Sequence, residues 1–370
     1  NSIQSNASQN NLEFNDLQID NYTREDLLLF RTRCEVLQTA QFCNVPIQLR
    51  LSGYGLNLPA WIGICFWDFK DRFISKHEFF DVWKYRIEGT TATEYGPEEA
   101  WGKLSRLASH SDESLDISIL RRRLSQSNLP VDVSLPDYGL QGPVVGTIHA
   151  SKGREAENAI VLLPNNRRFN SIQSEVEESK VLFVGATRAR ESLSVGSGLA
   201  LRSSALQSGR IYRRTNNQNS ISVMVETGIG GDIIPRGLVG KSTVNQDVAT
   251  SAQEFFRSVA DVVTTYSMKA DPKLNWCFRV MRPNSKEPVA TFSGNLTSDL
   301  WTILTKLNKY RTHRPPSIVK PVRGLGCSTV VLSSDDGEIE ALHEPWASSG
   351  FILAPRIAAF PPYFFNQRNH

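Results

Sequence analysis

The stretch TIHASKGREAENAIVLLP, residues 147–164, sets the reading of the chain on either side of it. It closes one strand-like run, PVVGTIHA, turns through Lys152 and Gly153, and enters a second apolar run, NAIVLLP, at 158–164. Short apolar runs bounded by turn residues are the pattern of buried strands. A helical stretch follows, SEVEESKVLFVGATRA, with Ser174 as the expected N-cap and Glu177 three residues on, the spacing of a capping box. Arg188 and Arg190 then stand where that helix gives way to a further short strand, SLSVG.

Toward the N-terminus the same alternation appears. DLLLFR (26–31) reads as a buried strand, CEVLQTAQFC as a helix and VPIQLRL (45–51) as a second strand. Strand, helix, strand in that order implies a parallel α/β layer. Between 59 and about 128 the period becomes helical, in AWIGICFWDFKDRF, EFFDVWKYRI, GPEEAWGKLSRLAS and LDISILRRRL. Pro97 stands at a first-turn position with Glu98 and Glu99 behind it, a sound helix start. The predicted organisation is a lead-in at 1–20 without regular structure, an α/β domain from 21–54 and 140–200, and a helical insertion at 55–139. A linker rich in Ser, Asn, Gly and Arg is expected at 201–220, and a smaller, separate β-rich (α+β) domain, compatible with a small barrel, at 221–370. Helices are expected at 251–267 and 297–310 within that last part.

The bulk composition is that of a soluble globular protein, with 40% hydrophobic and 21% charged residues. A length of 370 residues calls for two or three domains. The net charge of +3 does not by itself argue for nucleic acid. The basic residues do cluster, at 31–33, 121–123, 167–168 and 210–214, and each cluster reads first as a solvated face. Five cysteines without CxxC spacing imply free thiols and a cytoplasmic protein, with no zinc site. No apolar run has the ~20 residues that a membrane span needs. The polar start NSIQSNASQNN, without an initiator Met, suggests a fragment of a longer chain.

Two segments carry chemistry when taken together. Thr147, His149, Lys152, Gly153 and Glu155 precede a strand, and Leu182, Phe183, Val184, Ala186, Thr187, Arg188 and Ala189 close a helix before another strand. In order, spacing and context these resemble motifs V and VI of the superfamily 1 DNA helicases of the UvrD/Rep type. The segment DLLLFRTRCEVLQTAQFCNVPIQLRLSG is similar to the opening of that family's second RecA-like domain. The resemblance implies a RecA-like parallel sheet in which Arg188 is an arginine finger and Glu155 contacts the ribose of ATP. It implies that Thr147 and His149 face single-stranded DNA, that Lys152 holds a DNA phosphate, and that Gly153 allows close backbone approach to a ligand.

Phosphoryl transfer needs positive charge aimed at the γ-phosphate, and the permanently charged arginine fork suits it. Each assignment has a plainer counterpart. Arg188 could simply complement a helix C-terminus, His149 could be satisfied at a strand end, Glu155 could be a solvated acid, and Lys152 could cap its loop. Arg190 reads as a structural or surface arginine.

A phosphate loop is missing. The nearest candidate, PRGLVGKST at 235–243, has Pro235 where the first glycine belongs and no strand leading in, so it is rejected. No strand supplies a Mg²⁺ carboxylate. The acidic run 335–344 reads as a hairpin turn at Asp336–Gly337. The resemblance therefore implies that ATP and Mg²⁺ meet a first RecA-like domain supplied in cis or in trans. The alternatives left open are a non-catalytic adapter that binds DNA or a partner, and a subunit of a helicase–nuclease, repair or phage-defence complex.

Overall fold

The computed structural model describes residues 12–13, 18–43, 45–90, 92–93, 95–164, 172–199, 201–215, 221–307, 313–337 and 339–367. The expected lead-in at 1–20 and the basic pair at 167–168 lie largely or wholly outside these residues.

Six parallel strands make the first sheet: β1 (Leu12–Glu13), β2 (Asp26–Phe30), β3 (Gln48–Arg50), β4 (Val144–Thr147), β5 (Ala156–Pro164) and β6 (Ala189–Gly198). Their order is β1-β6-β5-β2-β4-β3, every neighbouring pair parallel. β2 lies in the interior of the sheet and is buried at all positions, as its unbroken apolar run requires. Asp26 is tolerated there because its carboxylate accepts from the Thr23 backbone and the Asn158 amide.

Helices cover both faces. α1 (Arg33–Phe42) begins with a capping box, Thr32 and Glu35 bonding reciprocally, and packs with Leu28, Phe30 and Val145. α2 (Ile172–Ala186) covers the opposite face, where Val181 and Val184 meet Leu27, Leu29, Val144 and Val161. The alternation of β2 side chains between the two faces dictates this division. The helix starts before Ser174, so Ser174 is not its cap; the side chains of 172–175 lie outside the described residues.

The insertion contains four helices, Ala60–Phe66, Lys76–Arg86, Pro97–Ala108 and Ile117–Leu124. It also holds a small antiparallel sheet of Phe73–Ser75, Ser114–Asp116 and Ser109–Ser111, so the first helix is shorter than its periodicity suggested. Trp61, Trp83 and Trp101 are buried in one cluster with Phe66 and Phe79. They form core.

The last part holds two antiparallel sheets. One runs Ser204–Ala205, Ile211–Thr215, Ile221–Val225, Pro362–Gln367, His313–Arg314. The other runs Pro288–Thr291, Cys277–Met281, Val263–Asp271, Ile318–Val331, Phe351–Ile357. Each has two open ends among the described residues, so they do not form one closed barrel. The helix expected at 251–267 is Gln246–Ser258, and the chain then enters a strand at Val263. The β-branched and aromatic run Val263, Thr264, Thr265, Tyr266 alternates between partly open and buried positions, which suits a pleated surface better than a helix.

Two boundaries read from composition are not boundaries in the packing. Residues 201–215 of the expected linker carry two strands; residues 216–220 lie outside the described residues. The insertion and the C-terminal part share one hydrophobic core, and Leu58–Pro59 pairs with the Ile318–Val331 strand. Arg121 crosses this junction, donating to the carbonyls of Leu332 (2.6 Å) and Ser348 (2.8 Å).

Arg210 is fully buried. It forms a fork on Asp232 (2.6 and 2.9 Å), a bond to Asp299 (2.7 Å) and another to the Glu226 carbonyl (2.7 Å). Burial alone would lower its pKa, but the bonds and charges of Asp232 and then Asp299 outweigh it and hold the guanidinium above its ordinary value. The Glu226 side chain is fully buried, and its carboxylate accepts from Arg33 of α1 at 2.5 Å. The Arg33–Glu226 pair thus couples the parallel layer to the C-terminal sheets, and Arg210 braces the Glu226 backbone from the C-terminal side. Arg210→Ala strands the buried Asp232 carboxylate, and urea unfolding should show a loss of about 3–5 kcal/mol. A loss under about 1 kcal/mol, the scale of a surface pair, would show that the network is not holding these elements together.

Candidate functional site

The register of β5 and β6 brings the two motif segments together. Ala156 pairs with Ala189, so the residues just before them, Glu155 and Arg188, share the N-terminal edge of the parallel sheet. The Ala156 N–H donates to the Arg188 carbonyl at 3.0 Å. The Arg188 guanidinium is half-buried and donates from Nε to the Val184 carbonyl (2.9 Å), from Nη1 to the Arg154 carbonyl (3.2 Å) and from Nη2 to Thr187 Oγ1 (2.9 Å). Among the described residues no carboxylate pairs with it. Its position is fixed by main-chain acceptors, while its charge is left uncompensated and part of its fork remains free.

Glu155 lies beside it but is engaged elsewhere. Its carboxylate pairs with Arg190 at 3.1 Å, and both side chains are exposed. Gly153 has φ +80°, and a Cβ built there would meet no atom within 4 Å. The glycine answers a backbone need, and the space beside it is open.

Arg154 was not singled out by any spacing. Its carbonyl anchors Arg188, and its guanidinium pairs with Asp137, which also lies 3.7 Å from Arg50. This double pairing holds the loop 148–155 as it crosses back from β4 to β5. Ile148, fully buried against the α2 face, is the apolar anchor of the same loop. α2 comes close there because Gly185 has no side chain; a Cβ would stand 3.4 Å from Ile148 and Val161. A cavity of about 240 Å³ opens at this N-terminal edge, lined by Arg24, Gln48, Trp61, Tyr95, Asp137 and Arg154 among others.

The remaining site residues lie elsewhere. Thr147 ends β4 at the opposite, C-terminal edge, level with Phe30 of β2. It is buried, and its hydroxyl accepts the Ala150 N–H at 3.2 Å, which shapes the turn. His149 and Lys152 follow on the exposed surface of the loop. The candidates thus separate into Gly153, Glu155 and Arg188 toward one edge and Thr147 and His149 at the other, with Lys152 on the loop between.

Other features read from the sequence take structural roles. In the rejected phosphate loop, 235–238 form a short 3-10 turn, Lys241 Nζ donates to the Glu340 carbonyl and Thr243 caps the Gly237 and Gly240 carbonyls. In the acidic run, Asp336 pairs with Arg236 and His343 bonds to the Val244 carbonyl. A short 3-10 turn and a helix follow before the next strand, so Asp336–Gly337 is a turn but not the tip of a tight hairpin; Glu338 lies outside the described residues. Among the described residues no group of three His, Cys, Asp or Glu could hold a metal, and no helix is long and apolar enough to cross a membrane. Within the basic clusters Arg31 pairs with Glu178 (2.8 Å), Arg33 with Glu226 and Arg210 with Asp232, and Arg121 is buried, whereas Arg122, Arg123 and Arg214 are exposed.

Comparison with protein-family models, with curated proteins and with solved structures returned no match.

Gly153→Ala places a Cβ on a left-handed backbone, so thermal unfolding should report a loss of about 1–2 kcal/mol. An unchanged or raised melting temperature would show that the loop relaxes to an ordinary conformation.

Proposed function

We propose that residues 21–54 and 140–200 act as the second RecA-like domain of a UvrD-like superfamily 1 DNA helicase or translocase. The observation that carries this reading is the meeting of the 147–155 and 180–190 segments at the starts of β5 and β6. Two sequence-distant segments, each similar to one motif of that family, lie in contact, with an uncompensated guanidinium between them.

In this reading Arg188 releases its main-chain acceptors and turns its fork to the γ-phosphate, offsetting charge as it moves in the transition state. Glu155 exchanges Arg190 for the nucleotide ribose. Thr147, His149 and Lys152, toward the other edge, track the single strand. The phosphate loop and the Mg²⁺ ligands come from a first RecA-like domain, in the same polypeptide or a partner. ATP lies between the two lobes, and this chain alone does not turn it over.

One observation favours a non-catalytic adapter as the second reading. Arg188 is already bonded at Nε, Nη1 and Nη2, and Glu155 is already paired with Arg190, so the edge is self-satisfied as it stands.

Steady-state ATPase assays with the phosphate-loop lobe present separate the two. Arg188→Ala should lower kcat by ~10³-fold or more while nucleotide affinity changes far less. Near-normal turnover removes the finger assignment, and absence of turnover in the wild-type assembly favours the adapter.

A further inference from the structure

A second charged feature lies away from the parallel sheet, on the outer face of the sheet that holds Val263–Asp271. A cleft of about 670 Å³ opens there, lined by Thr265, Ser267, Arg282, Asn284, Lys286 and Lys320 among others. Its walls come from three places: the Val263–Asp271 strand, the turn that follows Cys277–Met281, and the Ile318–Val331 strand. No acidic side chain is among the residues lining it.

The charge around the cleft is not balanced. Arg279 pairs with Asp271 at 2.7 Å and Arg282 lies 3.5 Å from Glu287, which engages the neighbouring carboxylates. Lys269, Lys286 and Lys320 are exposed and pair with no carboxylate among the described residues. Lys269 stands directly across from Arg279 in the antiparallel register. Asp271, bonded to Arg279, offsets the like charges at that position.

Arg282 is held in place rather than left to sway. Its guanidinium lies over the Phe255 ring at 5.0 Å and bonds to Ser251 at 3.4 Å. Fixed positive charge beside hydroxyl and amide donors, with Glu287 near Arg282 but no carboxylate lining the cleft, rejects a metal cation and suits a phosphate anion. The cleft is open and bordered by several separated cations, so it suits adjacent phosphates of one extended anion.

The geometry points to a phosphate-binding cleft at Arg282, Lys286 and Lys320 that takes a run of phosphate groups. That chemistry is shared by a nucleic-acid backbone and a free polyphosphate. The inference goes beyond the helicase reading and does not need it, since none of these residues belongs to the parallel sheet.

The test uses the full chain and the double variant Lys286→Glu/Lys320→Glu, both exposed positions, with circular dichroism confirming the fold. Binding of a fluorescein-labelled oligothymidylate is followed by anisotropy between about 50 and 200 mM salt. Binding of inorganic tripolyphosphate is followed by calorimetry. The double variant should bind roughly tenfold more weakly or worse, and in the oligonucleotide arm the log–log salt slope should fall by about 2. Loss in the oligonucleotide arm assigns the backbone of a strand. Loss confined to tripolyphosphate assigns a free polyphosphate. Variant and wild type binding alike in both arms overturns the cleft.

Discussion

Ala156 beside Ala189 is the pairing on which the candidate site depends. Parallel strands fix which ends lie together, and here they place the start of β5 against the start of β6. Residues more than thirty positions apart in sequence, Arg154 and Arg188, are therefore joined by a hydrogen bond of 3.2 Å. A one-residue slip would turn every β6 side chain to the other face and separate the two segments. The slip is opposed by the apolar anchoring of Val161, Ile148 and Val184 on one face of the sheet and Leu28, Phe30 and Val145 on the other.

A second constraint ties this sheet to the rest. Arg33 reaches from α1 to the buried Glu226, whose carbonyl and neighbouring loop are held by Arg210. Burial pushes the Glu226 carboxyl up, against the pull of Arg33. Such a pair is costly to desolvate and adds little net stability against an apolar alternative, but it is severe to break on one side only. Its consequence is geometric: the α1 face of the parallel layer is closed by the C-terminal part, whose Met224, Leu325 and Phe360 join the same core.

Much of the α/β layer was legible because its signals are local. The DLLLF run, the CEVLQTAQFC helix and, in the insertion, the Pro97 start each act within one element, and each element formed where its residues indicated. The strands around 221–225, 277–281 and 351–357 were readable for the same reason. What failed were boundaries set by tertiary burial. Arg210, in a Ser- and Arg-rich stretch, looked like linker because nothing local reveals that Asp232 and Asp299 wait for it. The insertion looked independent because the contact between Arg121 and the 332 and 348 carbonyls spans more than two hundred residues. In the site, Gly153 and Arg188 were named through the resemblance of their segments, whereas Arg154, which positions Arg188 through a carbonyl, leaves no side-chain signature in the sequence.

The central claim is that Arg188 can leave its present acceptors for a triphosphate. A structure of the chain assembled with a phosphate-loop lobe, ADP and a planar aluminium fluoride would test it most directly. The account predicts the Arg188 guanidinium within hydrogen-bond distance of the fluoride atoms and off the Val184 and Arg154 carbonyls. A guanidinium still bonded to those carbonyls, with the fluoride met by other residues, would contradict it.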